Sequence, residues 1–393
     1  MKVGYKESVL GEIPMDWEAL NWDDVCEICY GKDQKSVQDE NGIYGIYGTG
    51  GLMAMTNSFL CDKPSVMIGR KGTIDKPFYL DRPFWTVDTL YYTKTNDNID
   101  TKWFYYSVLG TPLIKYNEAT GVPSLSRANL YKIKVAVPPL PEQQKIAEIL
   151  STVDSKIDLI EQQIAECTQL KKGLMQKLLS KGIGHTEFKD SALGMIPRSW
   201  EVKLLEDCAK RGSGHTPDKK MKDYYNGGVK WVSLGDSNKL DKRYISETKI
   251  EISKEGLKNS SAVIHPKETV LLSRDAGVGK SAIMKTEMAV SQHFITWECD
   301  INFNNWFLYY NLQVFKPTFE RVAIGSTIKT IGLGFFKKMK IVVPPIKEQI
   351  KIADILNSVD EKLDILLEKK TIYLELKQGL MQQLLTGKVR VAV

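Results

Sequence analysis

Two long stretches of the chain carry the same apolar spacing. Within residues 138–182, Ile146, Leu150, Val153, Ile157, Ile160, Ile164 and Cys167, then Leu174 and Leu178, alternate steps of four and three, with Lys171 interrupting. Within 344–388, Ile352, Leu356, Val359, Leu363, Leu366, Tyr373, Leu380 and Leu384 do the same, interrupted by Lys370 and Lys377. Apolar residues recurring every 3.5 positions keep one stripe facing a partner helix, which predicts a left-handed coiled coil. At ~1.5 Å per residue, about 40 residues make a rod of about 60 Å. Each seam side chain contributes roughly 1.5 to 3 kcal/mol when buried, before the entropy of ordering, and neither helix buries its stripe alone. The plainest partner of each helix is the other.

Ahead of each helix the period changes to two. Lys132 to Val137 and Lys338 to Val342 alternate as strands do, and a Pro-Pro pair ends each before the helix begins. Further upstream, short runs rich in Tyr, Trp, Val, Ile and Thr are cut by Gly, Asn, Asp and Pro, the pattern of β-containing globular domains with a few helices. The expected fold is α+β. Residues 1–137 and 183–343 form two β-containing domains, and 138–182 and 344–388 form two long antiparallel coiled-coil helices. Because each helix follows an equivalent domain, antiparallel pairing gives pseudo-two-fold symmetry with a domain at either end of the rod.

The chain is a duplication. Val137 to Gly182 aligns without a gap on Val343 to Lys388, with nearly half of the positions identical, and Tyr5 to Glu18 (YKESVLGEIPMDWE) matches Phe188 to Glu201 (FKDSALGMIPRSWE). Between header and helix the copies share only hints, chiefly Val66 to Arg70 opposite Val270 to Arg274, each followed by a glycine turn. The second variable region is about 23 residues longer than the first.

Composition adds limits. With 393 residues, 42% hydrophobic and 26% charged, the chain is long enough for two or three ordinary domains and lies outside the disordered and membrane classes. No stretch is apolar enough to span a membrane, and Lys6 and Glu7 stand where a signal peptide needs an apolar run, so a cytoplasmic location is expected. A net charge of +6 permits a polyanionic partner without requiring one. The six scattered cysteines are expected to be reduced.

Several segments resemble catalytic motifs without their working residues. Ala276 to Ser281 (AGVGKS) ends like a phosphate-binding loop but has Arg274 where that motif needs its first glycine. Val137 to Leu140 (VPPL) lacks the amide and the aromatic with which adenine methyltransferases hold a flipped base. Asp218 with Glu247 and Lys249 makes only a loose nuclease pattern, and Glu247 and Lys249 are read as a solvated strand. Cys26 and Cys29 have no second ligand pair at zinc spacing and are read as packed thiols. Gln292 beside His293 has the chemistry to pair with an adenine edge, although a structural role is preferred for His293. Trp17, Trp85, Trp200 and Trp231 are assigned to cores. No catalytic or metal-ligating residue is expected.

Taken together, the headers Ser8 to Glu18 and Ser191 to Glu201, the segments PPLPEQQKIAEIL and PPIKEQIKIADIL, and the helix ends GLMQKLL and GLMQQLL resemble the specificity subunits of type I restriction-modification systems. The resemblance covers essentially the whole chain. It implies two target-recognition domains that each read one half of a split, asymmetric DNA target, held apart by the helices. It further implies assembly with two modification subunits, which carry S-adenosylmethionine and methylate adenine N6, and two restriction subunits that translocate and cut DNA. S-adenosylmethionine, ATP and Mg2+ would belong to those partners, leaving this chain without cofactor or catalysis. Half-sites on one face of a duplex lie about 34 Å apart, a spacing that a rod of this length can set.

Lys and Arg on phosphates should supply affinity, and groove contacts specificity. In the first domain the candidates are Arg70, Lys71 and Thr73 in the glycine turn, and Ser124, Ser126, Arg127 and Asn129 in the loop before the terminal strand. In the second they are Thr216, Lys219, Lys220, Arg274, Lys280 and Gln292, with Thr327, Lys329 and Thr330 from the corresponding loop. The helix ends, Leu174, Met175 and Leu178 and their copies Leu380, Met381 and Leu384, either dock partner subunits or pack against the opposite globular domain. A rival function is a pseudo-symmetric scaffold whose domains bind proteins. A self-sufficient nuclease or methyltransferase conflicts with the missing motifs.

Overall fold

The computed structural model describes residues 4–392; Met1 to Val3, which open the predicted first domain, and Val393 lie outside the described residues. Two compact units divide the chain: one runs up to Gln162 and resumes at Leu367, and the other takes Gln163 to Leu366. Each long helix is therefore shared between the units.

In the first unit, Cys26–Tyr30, Leu90–Thr95, Ser65–Gly69 and Phe78–Leu80 form a four-stranded antiparallel sheet in that order. A second sheet orders Gly51–Thr56, Tyr44–Gly48 and Phe84–Thr86, the last pair parallel. The second unit repeats this plan. Ala209–Ser213, Phe294–Cys299, Val270–Ser273 and Ser281–Met284 follow the same order, and Tyr244–Ile245 adds a parallel edge. Its other sheet keeps the parallel pairing, Tyr225–Val232 beside Met288–Val290, flanked by Ile250–Ile252 and Ile264–His265. The extra length of this copy includes those added edges.

Each terminal strand pairs with its own header. Lys134–Val137 runs antiparallel to Glu18–Asn21, and Lys340–Val343 to Glu201–Leu204, so the beginning of each domain is tied to its end. Both strands start two residues later than predicted. Ser126 caps a short helix, Arg127–Tyr131, whose last turn takes in the Lys132 amide, and Leu333–Lys337 does the same before Lys340.

The long helices begin just past the Pro-Pro pairs, at Leu140 and Ile346, and end at Lys181 and Leu384. Within the first unit they pair antiparallel: Asp154 meets Lys377 at 2.6 Å and Glu161 meets Lys370 at 2.8 Å, numbers rising on one helix as they fall on the other. Ile146 and Leu150 share that unit's core with Leu384. In the second unit Lys171 meets Asp360 at 2.7 Å, and Leu178 and Leu179 share the core with Ile352 and Leu356.

Two of the three seam-interrupting lysines, Lys171 and Lys377, are the clearest sign of duplicated contacts. Asp154 accepts from the Tyr106 hydroxyl while Lys377 lies over the Tyr106 ring; Asp360 accepts from the Tyr310 hydroxyl while Lys171 lies over the Tyr310 ring. A lysine thus enters an apolar seam already matched to a carboxylate and an aromatic face.

The shared Glu-Gln pair at each helix start is structural. The Trp17 indole N–H donates to buried Glu142, and the Trp200 indole to Glu348, both at 2.9 Å. Arg390 holds Glu142 and Asp16 in one unit, and His185 with the Ile183 amide holds Glu348 in the other. Gln143 and Gln349 each accept from the backbone amide of the N-capping residue of a domain helix, Asp100 or Asn304, and donate back to the carbonyl of the first proline of the Pro-Pro pair, Pro138 or Pro344.

Trp17, Trp200 and Trp231 are buried as expected, whereas Trp85 is only half-buried and donates to the Lys32 carbonyl.

Candidate nucleic-acid interface

In the first unit the turn after Ser65–Gly69 is stitched to the loop before the terminal strand. The Gly72 amide donates to the Pro123 carbonyl, the Leu125 amide to the Arg70 carbonyl, and Lys71 bridges to Ser124. Gly72 has φ +91°, a left-handed conformation that glycine adopts at little cost. Two predicted groups, Arg70 to Thr73 and Ser124 to Asn129, thereby form one surface. Arg70 and Arg127 meet over the ring of Tyr30, at 5.2 and 5.0 Å from its centroid.

Ser126 and Asn129 are half-buried on this surface and already engaged. Both side chains bond to exposed Glu118, and Ser126 also caps the short helix. The Ser126 hydroxyl, with the Asn129 amide, holds the Glu118 carboxyl below its ordinary range, so a negative charge sits beside these two candidates.

The second unit repeats the stitching with different side chains. The Ile331 amide donates to the Arg274 carbonyl, and Asp275 bridges to Thr330 as Lys71 does to Ser124. Here, however, Arg274 pairs with Asp275 at 3.4 Å, and Asp275 also takes the His293 Nδ1 at 2.6 Å. Thr216 donates to Gln292, joining those candidates at 2.6 Å. Thr327 and Lys329 stand exposed on their loop, Lys219 and Lys220 on theirs, while Lys280 is drawn aside to Asp241 at 2.8 Å.

The phosphate-loop look-alike is the turn of an antiparallel hairpin between Val270–Ser273 and Ser281–Met284, whereas a phosphate cradle joins a strand to a helix. Glu247 and Lys249 lie in a connection rather than on the expected strand; Glu247 pairs with Lys230, and the Lys249 amide donates to buried Asp236. Cys26 and Cys29 are three positions apart on a strand and so face opposite sides, into separate cores. Burial pushes both thiols up from their ordinary value. Among the described residues no cluster of three or more His, Cys, Asp or Glu is placed to hold a metal ion, and no helix is long and apolar enough to cross a membrane.

Of the helix-end candidates, Leu178 and Leu384 are buried in the two cores, while Leu174, Met175, Leu380 and Met381 are half-buried against them. Both helix ends therefore lie against a globular core.

Tyr30, Tyr131 and Asp275 were not among the sequence candidates. Strand pairing brings in Tyr30: Tyr91 lies opposite both Tyr30 and Ile68, which puts the end of one strand beside the turn that follows another; Tyr131, at the end of the short helix, lies under Arg127, and Asp275 is the neighbour of Arg274 in the chain. No local spacing announces Tyr30.

Two α+β units, each with a paired header and terminal strand and two antiparallel helix segments, define the class. The fold is that of a specificity-subunit crystal structure from M. genitalium, matched with a TM-score of 0.66 at 16% identity over 94% of this chain and 96% of that one. Residues 14–169 and 197–378 each match the model of the type I restriction modification DNA specificity domain, and the chain belongs to that family. Among its relatives, the MjaVIII type I restriction enzyme specificity subunit of Methanocaldococcus jannaschii is 27% identical over 98% of this chain and 97% of its own length. The chain described as the MjaX specificity subunit of the same organism is 31% identical over 71% of this chain, which spans 65% of that relative.

Proposed function

We propose that this chain is the DNA-recognition subunit of a type I restriction-modification complex, each domain reading one half of an asymmetric, split target. The paired helices set the unread gap and dock two modification subunits, which supply S-adenosylmethionine and methylate adenine N6. Two restriction subunits, using ATP and Mg2+, translocate and cut. The chain itself performs no catalysis and works in the cytoplasm.

The observation that carries this reading is one sheet plan built twice with unlike chemistry at the equivalent turn, Arg70 on a tyrosine and Arg274 on an aspartate. A duplicated fold with identical surfaces would suit a palindrome; unlike surfaces suit two different half-sites. The test is binding of the purified chain to fluorescent genomic duplexes across a salt series, with methylated adenines mapped in the host. The expected result is affinity that falls steeply with salt, and a two-part methylated motif. Salt-insensitive or absent DNA binding would favour a protein-binding scaffold.

A further inference from the structure

Tyr30 ends the strand Cys26–Tyr30 and is 43% exposed, a large aromatic outside any core. Its ring does not hang free. It stands edge-on to buried Tyr91 at 5.1 Å, and the Tyr91 hydroxyl donates to the Leu125 carbonyl, anchoring the ring to the loop that carries the other candidates. Burial, then neighbouring Tyr30, pushes the Tyr91 phenol up to about 12, so this anchor stays neutral.

Arg70 and Arg127 come from different elements and converge on the ring. Among the described residues neither makes an ion pair, unlike Arg274, which has Asp275. Each spends one N–H on a backbone carbonyl, Arg70 on Asp88 at 3.1 Å and Arg127 on Ile28 at 3.4 Å, which orients the guanidinium and leaves the rest of its five-donor fork available. Two like charges on one ring repel each other, and the ring faces offset only part of that. What completes the arrangement is an anion. At the equivalent strand position the second domain has Ser213, so this device belongs to the first domain alone.

We infer that Tyr30 is a positioning residue for DNA, holding Arg70 and Arg127 as a two-guanidinium clamp for backbone phosphates at the first half-site. The inference rests on the proposed DNA-recognition function.

The test uses the full chain and a fluorescent 40-base-pair duplex carrying the mapped methylation site, titrated from low to high salt. Tyr30→Phe keeps the ring and should match the parent. Tyr30→Ala should lose about tenfold in affinity, and its slope of log affinity against log salt should shrink by about one to two, since each lost phosphate contact contributes about 0.9. Tyr30→Leu preserves packing on Tyr91 without a π face and should behave like Tyr30→Ala even if that variant melts early. In an Arg70→Gln/Arg127→Gln background, Tyr30→Leu should cost nothing further. Unchanged slopes in folded Tyr30→Leu overturn the clamp while leaving DNA recognition standing. A parent chain without salt-dependent DNA affinity overturns both.

Discussion

Arg70 and Arg274 stand at equivalent corners of two sheets built to one plan, one in each unit, and are held by opposite means. The backbone stitching is common to both: each carbonyl accepts from an amide of the loop before the terminal strand. The side chains diverge, one guanidinium resting on a tyrosine ring and the other lying against a carboxylate that also holds a histidine. The turn is fixed by sheet order and glycine, while what each guanidinium meets differs, Tyr30 from another strand in one copy and Asp275 of the turn itself in the other. A duplicated fold can therefore keep its frame and change what it reads.

The largest expected effect tests the shared frame. Asp360 is buried, with its side chain 7% exposed, whereas Asp154 at the matching site is 27% exposed. Lys171→Met leaves a buried carboxylate without its cation and should destabilise the second unit by about 3 kcal/mol; Lys377→Met in the first unit should cost clearly less. Differential scanning calorimetry checks the order, and equal losses would break the comparison. Next, Arg70→Gln should weaken DNA binding by about tenfold, or ~1.4 kcal/mol, and Arg274→Gln by much less, because its charge is already met by Asp275. A smaller effect of opposite sign is expected for Asp275→Asn, which frees Arg274 and should steepen the salt dependence by about one phosphate contact. Smallest of all, Lys370→Ala removes a pair whose glutamate is 51% exposed and should change stability by less than about 0.5 kcal/mol by chemical denaturation.

Much of the frame was legible in the residues. The helices announce themselves through a period of 3.5, and the matching headers and Pro-Pro pairs mark the two copies. The strands' starts were less legible, because Ser126 and Gly332 precede short helices that take up residues an alternating pattern assigned to strand. What Lys171 and Lys377 do in the seam was not legible, since their ring partners Tyr310 and Tyr106 lie on other elements. The turn candidates Arg70 and Arg274 came from aligning the copies with each other. Their contrasting partners did not: Tyr30 reaches Arg70 only through pairing between strands distant in sequence, as His293 reaches Asp275, and adjacency of Arg274 to Asp275 does not by itself announce an ion pair.

If one frame carries two independent reading surfaces, exchanging one of them must leave the other's reading untouched. The most direct measurement is a genome-wide map of methylated adenines in a host whose chain has residues 19–136 replaced by those of another family member. The account predicts that one half of the target changes while the other half and the gap stay as they were. Change in both halves, or in neither, would contradict it.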